Sequence, residues 1–280
     1  MIPGLLLSLR EVLEAALIIG LVLGTLRKLR REELRTVVWL GAGSAVAISA
    51  VVGVTFYLVG ISFEGVVEEI FEGITMLLAA TVLTWMIFWM YYHARSVSQA
   101  LEADVRQAVQ RRGKRALFLV SFLAVVREGI ELALFLTAAS FASGAEVTLV
   151  GGALGLVLAV LLAWLLFSSL IRLNVSHFFQ ATGMLLVLFA AGLVAHGVHE
   201  LNEAGIIPVL VEHVWDINHI LDENSTAGLI LKTLFGYNGN PSLSELLAYL
   251  GYFVAIALGL QQQRQGLQRQ GVARELADAS

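Results

Sequence analysis

Cysteine is absent from this 280-residue chain, which excludes a disulfide scaffold, a thiolate metal site and a cysteine nucleophile. Only three prolines occur, leaving little room for long structureless linkers. Charge is scarce as well: 14% of residues are Asp, Glu, Lys or Arg, against 58% hydrophobic. A soluble domain of this length needs a charged surface, and 18 basic plus 22 acidic residues, gathered in short clusters, cannot coat one. The net charge of -4 carries no signal for nucleic acid. No phosphate-cradling Gly-rich loop is present, which argues against ATP hydrolysis by this chain.

What the chain has in abundance is long apolar runs. Seven lie near residues 4–26, 37–60, 70–92, 116–140, 147–171, 178–200 and 243–261. Each is about twenty residues, enough for one helical crossing of a hydrocarbon layer about 30 Å thick. The expectation is an all-α polytopic membrane protein with seven transmembrane helices. The first run lacks a basic leader and carries Arg10, Glu11 and Glu14 inside it, so it does not read as a cleavable signal peptide.

Positive loops stay on the cytoplasmic side of a membrane. Arg27, Lys28, Arg30, Arg31 and Arg35 follow the first run; Arg95, Arg106, Arg111, Arg112, Lys114 and Arg115 follow the third; Arg172 follows the fifth; Arg264, Arg269 and Arg274 follow the seventh. The alternate connections hold only Lys232. This pattern predicts an outside N-terminus and a cytoplasmic C-terminus in a multi-pass protein of the plasma membrane, the inner membrane of a bacterium. The Gln-rich tail 262–280 reads as a cytoplasmic extension, frayed helix or disordered.

An internal repeat organises the runs. Arg10-Glu11-Val12-Leu13-Glu14 in the first is echoed by Arg127-Glu128-Gly129-Ile130-Glu131 in the fourth. Phe71 to Leu78 in the third is echoed by Phe179 to Leu186 in the sixth. Three helices followed by three helices must enter the membrane from opposite sides, the inverted-topology repeat that builds transporters around a midplane site. The expected division is a first repeat 1–92, a cytoplasmic loop 93–115, a second inverted repeat 116–200, an extracytoplasmic loop 201–242, a seventh helix 243–261 and the tail. Gly20, Gly24, Gly151, Gly152 and Gly155 have small-xxx-small spacing that suits close helix packing.

The repeated R-E-x-x-E has a physical reading. Glu11 and Glu14 share one helical face, as do Glu128 and Glu131, each pair near the middle of its run. A charge at the bilayer centre costs about 2.5–3.5 kcal/mol, so six unpaired charges would cost on the order of 15–20 kcal/mol. They must be paired, hydrated or coordinating. Arg10 and Arg127 can each balance one carboxylate, leaving a surplus of negative charge that invites a multivalent cation. The simpler alternative is a set of structural ion pairs locking two helices together. It does not explain two carboxylates per arginine at the same spacing in both halves.

With paired R-E-x-x-E motifs in its first and fourth spans and seven spans in all, the chain resembles the high-affinity iron permeases, the oxidase-dependent iron transporters of fungi and their bacterial relatives. The resemblance covers the whole chain except the tail. It implies that Glu11, Glu14, Glu128 and Glu131 are iron-binding carboxylates with Arg10 and Arg127 as charge partners. The fungal motif reads R-E-G-L-E; Val12 and Ile130 depart from it only at x positions. No counterpart of the extra acidic loop motif of fungal members is evident, which favours the bacterial branch. The resemblance also implies an extracytoplasmic ferroxidase or iron-delivery protein as partner, with iron as substrate and no organic cofactor.

A second polar layer lies toward the outer side. Glu64, Glu68, Glu69 and Glu72 run into the third span, and His196, His199, Glu200 and Glu203 close the sixth. Glu72, His196, His199 and Glu200 are the candidate metal ligands among them, forming an iron-recruiting vestibule; the individual acids Glu64, Glu68 and Glu69 read equally as solvated helix ends. In the long outer loop, Val209, Leu210, Val214, Trp215, Ile217, Ile220 and Leu221 alternate with Glu212, His213, Asp216, His219, Asp222 and Glu223, a pattern that predicts a short amphipathic helix on the membrane surface.

Two function classes remain open at this stage. One is a permease importing iron, ferric iron favoured by an all-oxygen site and ferrous iron retained if histidines take part; manganese or another hard divalent cation is its variant. The other is a membrane-embedded di-iron carboxylate oxidase. Such sites carry Glu-x-x-His ligands, and neither motif has a histidine three residues on.

Overall fold

The structure is a computed structural model and describes residues 1–107, 113–168, 175–209, 211–223 and 235–278, with 225, 228, 231 and 232. Arg111, Arg112 and Arg172 of the topology argument, and Leu210 of the amphipathic pattern, lie outside the described residues. The long helices are α1 (Ile2–Lys28), α2 (Arg35–Gly60, entered through a 3-10 turn at Glu32–Leu34), α3 (Val66–Gln107), α4 (Gly113–Ser143), α5 (Ala145–Phe167), α6 (Val175–Glu203) and α7 (Leu243–Asp278). No strand occurs among the described residues.

Local chemistry explains most of the boundaries. Pro3 sits in the first turn of α1, where its missing N–H costs nothing, and Arg27 and Lys28 sit in the last turn, where the helix dipole favours cations. Gly144, at φ 89°, makes the tight link between α4 and α5. Helix α3 continues well beyond the loop expected from residue 93. Between Gly73 and Gly113 there is neither glycine nor proline, so once the apolar run ends no residue stops the helix. Helix α7 likewise carries on through the Gln-rich tail.

Five helices, α2, α3, α5, α6 and α7, are long and apolar enough to cross a membrane. The remaining two, α1 and α4, carry the R-E-x-x-E triplets of charge. The molecule is inside out relative to a soluble protein: Val51, Val157 and Met184 are exposed, whereas Arg10, Glu11, Glu128 and Glu131 are buried. That arrangement suits a lipid surround, where apolar side chains face the solvent and charges must find partners inside.

Helix α1 packs chiefly on α5, α2 on α4 and α3 on α6, with α1 and α4 also in contact and α7 laid against α6. A central cluster of Leu7, Met76, Leu83, Met86, Phe135, Leu186, Phe189 and Leu193 joins α1, α3, α4 and α6. A second cluster of Leu26, Leu34, Val38, Val105 and Leu117 gathers the end of α1, the start of α2, the far part of α3 and the start of α4. It brings the basic segment around 27–35 and the residues Arg106, Lys114 and Arg115 to one end of the molecule, here the basic end. Gly151 and Gly155 meet Met1 and Leu5 carbonyls of α1, so this glycine stripe serves close packing within the chain.

The opposite, acidic end holds the long connection after α6. The amphipathic helix expected over 209–221 does not form among the described residues, which show only turns and bends there. Instead the Val214 N–H bonds the Pro241 carbonyl (3.0 Å), Ile217 the Gly239 carbonyl (2.9 Å), and the Leu243 N–H the Val211 carbonyl (3.1 Å). Backbone pairing to the segment before α7 satisfies groups that a helix would have satisfied internally, and wins over the side-chain periodicity.

Candidate metal centre

The R-E-x-x-E spacing decides which carboxylate each arginine takes. On a helix the arginine lies one turn from the second glutamate and alongside the first, so the pair closes at four residues. Arg10 Nε donates to Glu14 Oε1 at 3.0 Å, and Arg127 Nε donates to Glu131 Oε1 at 2.9 Å. The first glutamate of each motif, Glu11 or Glu128, receives no arginine from its own helix.

The contact of α1 with α4 brings these leftover groups together. Glu11, Glu128 and Glu131 each offer an oxygen within 4.8 Å of the others, a spacing that lets one ion reach all three. Both oxygens of Glu11, Oε2 of Glu128 and Oε2 of Glu131 are buried without a hydrogen-bond partner. Each such atom costs its full desolvation, a cost that a bound cation removes. Glu14 stands beside them, within electrostatic reach of Glu128, Glu131 and Arg127. The four motif carboxylates therefore share one locus, with an all-oxygen donor set and no histidine in it.

The two arginines are held differently. Arg10 is 1% exposed and its Nη2 donates to the Met90 sulfur at 3.1 Å, while Nη1 has no partner. Arg127 is 39% exposed and its guanidinium lies 5.7 Å from the ring centre of Trp85 and 5.2 Å from that of Trp89.

The outer layer expected from the sequence is brought together only in part. Helices α3 and α6 cross closely where Gly73 meets the Gly197 carbonyl, and a β-carbon at either position would press into the other backbone. That crossing sets Glu72 against Glu200, with Glu68 and Glu69 also near Glu200. The histidines are engaged elsewhere. His196 Nδ1 donates to the Gly192 carbonyl of its own helix at 2.9 Å. His199 Nδ1 donates to Glu245 Oε1 at 3.0 Å, and its Nε2 lies 3.3 Å from Glu203 Oε1. Glu72, His196, His199 and Glu200 do not form a four-ligand group; among the described residues the one cluster with metal-ligand spacing is that of Glu11, Glu128 and Glu131.

Glu245 was not singled out by the sequence reasoning, although a signal existed. Ser242-Leu243-Ser244-Glu245 is an S-x-x-E capping box. The Glu245 N–H bonds Ser242 Oγ (3.2 Å) and the Ser242 N–H bonds Glu245 Oε1 (3.1 Å). Asn238 Nδ2 adds a bond to Glu245 Oε2 at 2.8 Å, and Asn202 Oδ1 accepts from Ser244 Oγ at 2.7 Å. This network pins the start of α7 and the end of the outer connection to α6. Nothing in the sequence marks Trp85, Trp89 or Met90, whose roles come from contacts with distant helices. A cleft of about 390 Å³ lined by Val37, Lys114, Arg115, Phe118 and Leu119 lies at the basic end and includes none of the motif residues.

Residues 1–263 match the model of the iron permease FTR1 family. A protein named ferrous iron permease EfeU from Escherichia coli O6:K15:H31 is 36% identical over 251 residues, 89% of this chain and 91% of the relative. The protein of the same name from Shigella sonnei is 36% identical with the same coverage, and that from Yersinia pestis 33% over 89% of each chain. No solved structure matches.

Proposed function

This chain belongs to the iron permease FTR1 family and is a multi-pass protein of the bacterial inner membrane; from that premise we propose that it imports iron through the site built by its two R-E-x-x-E motifs. The observation that carries the reading is the convergence of Glu11, Glu128 and Glu131, with buried and unpartnered oxygens, at the contact of the two charged helices. Carboxylates alone suit a hard cation and by themselves favour ferric iron. Charge and kinship favour ferrous iron: four carboxylates against two arginines leave a surplus of two, which a divalent ion neutralises, and the relatives are named for ferrous iron. Ferrous iron is the form proposed to enter.

All seven long helices cross the membrane in this reading, in two inverted repeats plus α7, with the N-terminus outside and the C-terminus inside. The packing supports an exchange of halves. The partner of α1 is α5 and the partner of α4 is α2, as a two-fold axis relating α1–α3 to α4–α6 requires. The correspondence holds at residue level. A β-carbon at Gly151 would collide with the Met1 carbonyl, and one at Gly41 with the Phe118 carbonyl. Met1 and Phe118 are offset by the same number of residues as Arg10 and Arg127. Grouping of the basic segments at one end supports the orientation.

Import then needs little chemistry from the protein beyond charge and geometry. Glu68, Glu69, Glu72 and Glu200 form an acidic mouth that concentrates cations. The ion passes to Glu11, Glu128 and Glu131, where carboxylate oxygens replace its water. The arginines hold Glu14 and Glu131 in place through Oε1 of each, and Glu131 Oε2 stays without a hydrogen-bond partner beside Glu11 and Glu128. A periplasmic iron-delivery protein would meet the chain at this acidic end; a ferroxidase fits there only if ferric iron is the form carried.

The test is uptake of radioactive iron by liposomes holding the purified protein. Glu14→Ala and Glu131→Ala are expected to reduce uptake by about a hundredfold, a ligand loss at the upper end of what metal-site changes cost, with insertion unchanged. Uptake at the wild-type rate in both variants would remove the glutamate site from the path. Supplying iron with ascorbate or as a ferric chelate distinguishes the two oxidation states: faster uptake of the ferric form would reverse the assignment.

A further inference from the structure

The two motifs are alike in sequence and in their internal ion pairs, yet one segment of α3 reaches both arginines. Met90 accepts from Arg10 Nη2, and Trp85 and Trp89 lie against the face of Arg127. The two indoles are themselves stacked, with centres 6.4 Å apart and planes inclined by 29°. By the offset that aligns Phe71–Leu78 with Phe179–Leu186, the counterparts of Trp85, Trp89 and Met90 on α6 are Leu193, Gly197 and Val198. None of these can accept a hydrogen bond through its side chain or stack on a cation. The proposed pseudo-symmetry therefore breaks at this point, and among the described residues the contacts come from α3.

Resting on the glutamate-site reading above, we propose that Trp85, Trp89 and Met90 are positioning residues for the iron site, holding the guanidinium groups of Arg127 and Arg10 and, through them, the carboxylates of Glu131 and Glu14. The need is greatest at Arg127. It is 39% exposed where Arg10 is 1% exposed, so packing alone does not fix it. A guanidinium left free to turn outward would draw Glu131 Oε1 with it and take Glu131 Oε2 away from Glu11 and Glu128. Two ring faces oppose that motion, since a cation over an indole is bound most strongly where water is excluded. At Arg10 burial does most of the holding, and the Met90 sulfur adds one directed contact. One helix thus sets the aim of both motifs, and any tilt of α3 moves the two arginines together.

The experiment measures ferrous iron affinity of the full-length protein in detergent, by equilibrium dialysis without oxygen. Trp85→Leu with Trp89→Leu keeps an apolar side chain at each position and removes the π faces; affinity is expected to fall about tenfold. Trp85→Phe with Trp89→Phe keeps rings and is expected to stay within about threefold of wild type. In an Arg127→Gln background the leucine pair should change affinity by less than about twofold, because the tryptophans act through Arg127. Met90→Leu should weaken binding about threefold, the effect of one weak hydrogen bond.

Wild-type affinity in the leucine pair, or the same loss with Arg127 already replaced, overturns the tryptophan role. Wild-type affinity in Met90→Leu overturns that of Met90. Failure of the underlying reading looks different: Glu131→Gln would then bind iron as tightly as wild type. Loss of binding in Glu131→Gln with normal binding in the leucine pair sinks only the positioning proposal.

Discussion

At the residue scale, the division of labour inside R-E-x-x-E follows from helical geometry. The second glutamate meets the arginine, and the first is left without a hydrogen bond from it. Glu11 shows the cost most clearly, being buried with neither oxygen partnered. Replacing such a group by a neutral one of the same shape should stabilise the protein while removing function. Glu11→Gln is therefore expected to raise the thermal midpoint in iron-free detergent, by an amount equivalent to about 1–2 kcal/mol, and to abolish uptake. A lower midpoint would mean that Glu11 has a partner in the iron-free protein. Glu245 illustrates the reverse case: His199, Asn238 and Ser242 all donate to it, so its negative charge is fully used in holding α7 to α6.

At the scale of elements, α1 pairs with α5 and α2 with α4, which would interlock the two proposed repeats, and small residues make the pairing close. Gly151 and Gly41 sit at equivalent contacts, each under a carbonyl of the charged helix. Gly151→Leu and Gly41→Leu should each lower stability by about 1–3 kcal/mol, the cost of overpacking, read as comparable falls in thermal midpoint. Gly24→Leu, where a β-carbon meets nothing within 4 Å, should be tolerated. Unequal effects at Gly151 and Gly41 would count against the two-fold relation. Five apolar spans among the described residues were legible at this scale, because apolar runs of about twenty residues have few alternatives in a membrane. The end of α3 was not, since hydropathy marks where a helix leaves lipid and says nothing of where it stops. Nor was the 209–221 segment, whose amphipathic pattern is real but whose backbone finds partners in residues 239–243.

At the scale of the whole molecule, one end is basic and the other acidic, and the carboxylate site lies between them. The absence of cysteine makes the orientation easy to test, because any introduced thiol is the only one. Arg31→Cys should react with a membrane-impermeant maleimide only after the cytoplasmic face is opened, and Glu203→Cys from the outside in intact cells. The opposite labelling would invert the proposed direction of the acidic mouth. In the proposed orientation the electrostatic potential rises from an acidic outer mouth to a basic inner end, which favours capture of cations outside. The same basic end would oppose their return toward the site once released.

The sequence by itself determined that the chain is a multi-pass membrane protein and singled out six charges inside its apolar runs as exceptions that need partners. Each of these rests on the cost of putting charge or bare backbone into lipid, a cost paid locally and therefore visible locally. Only the tertiary structure decided which carboxylates converge, that His199 is taken by Glu203 and Glu245, and that one segment of α3 reaches both motif arginines. Those choices depend on side chains from helices far apart in the chain, and a contact of that kind leaves no periodicity in either helix to be read.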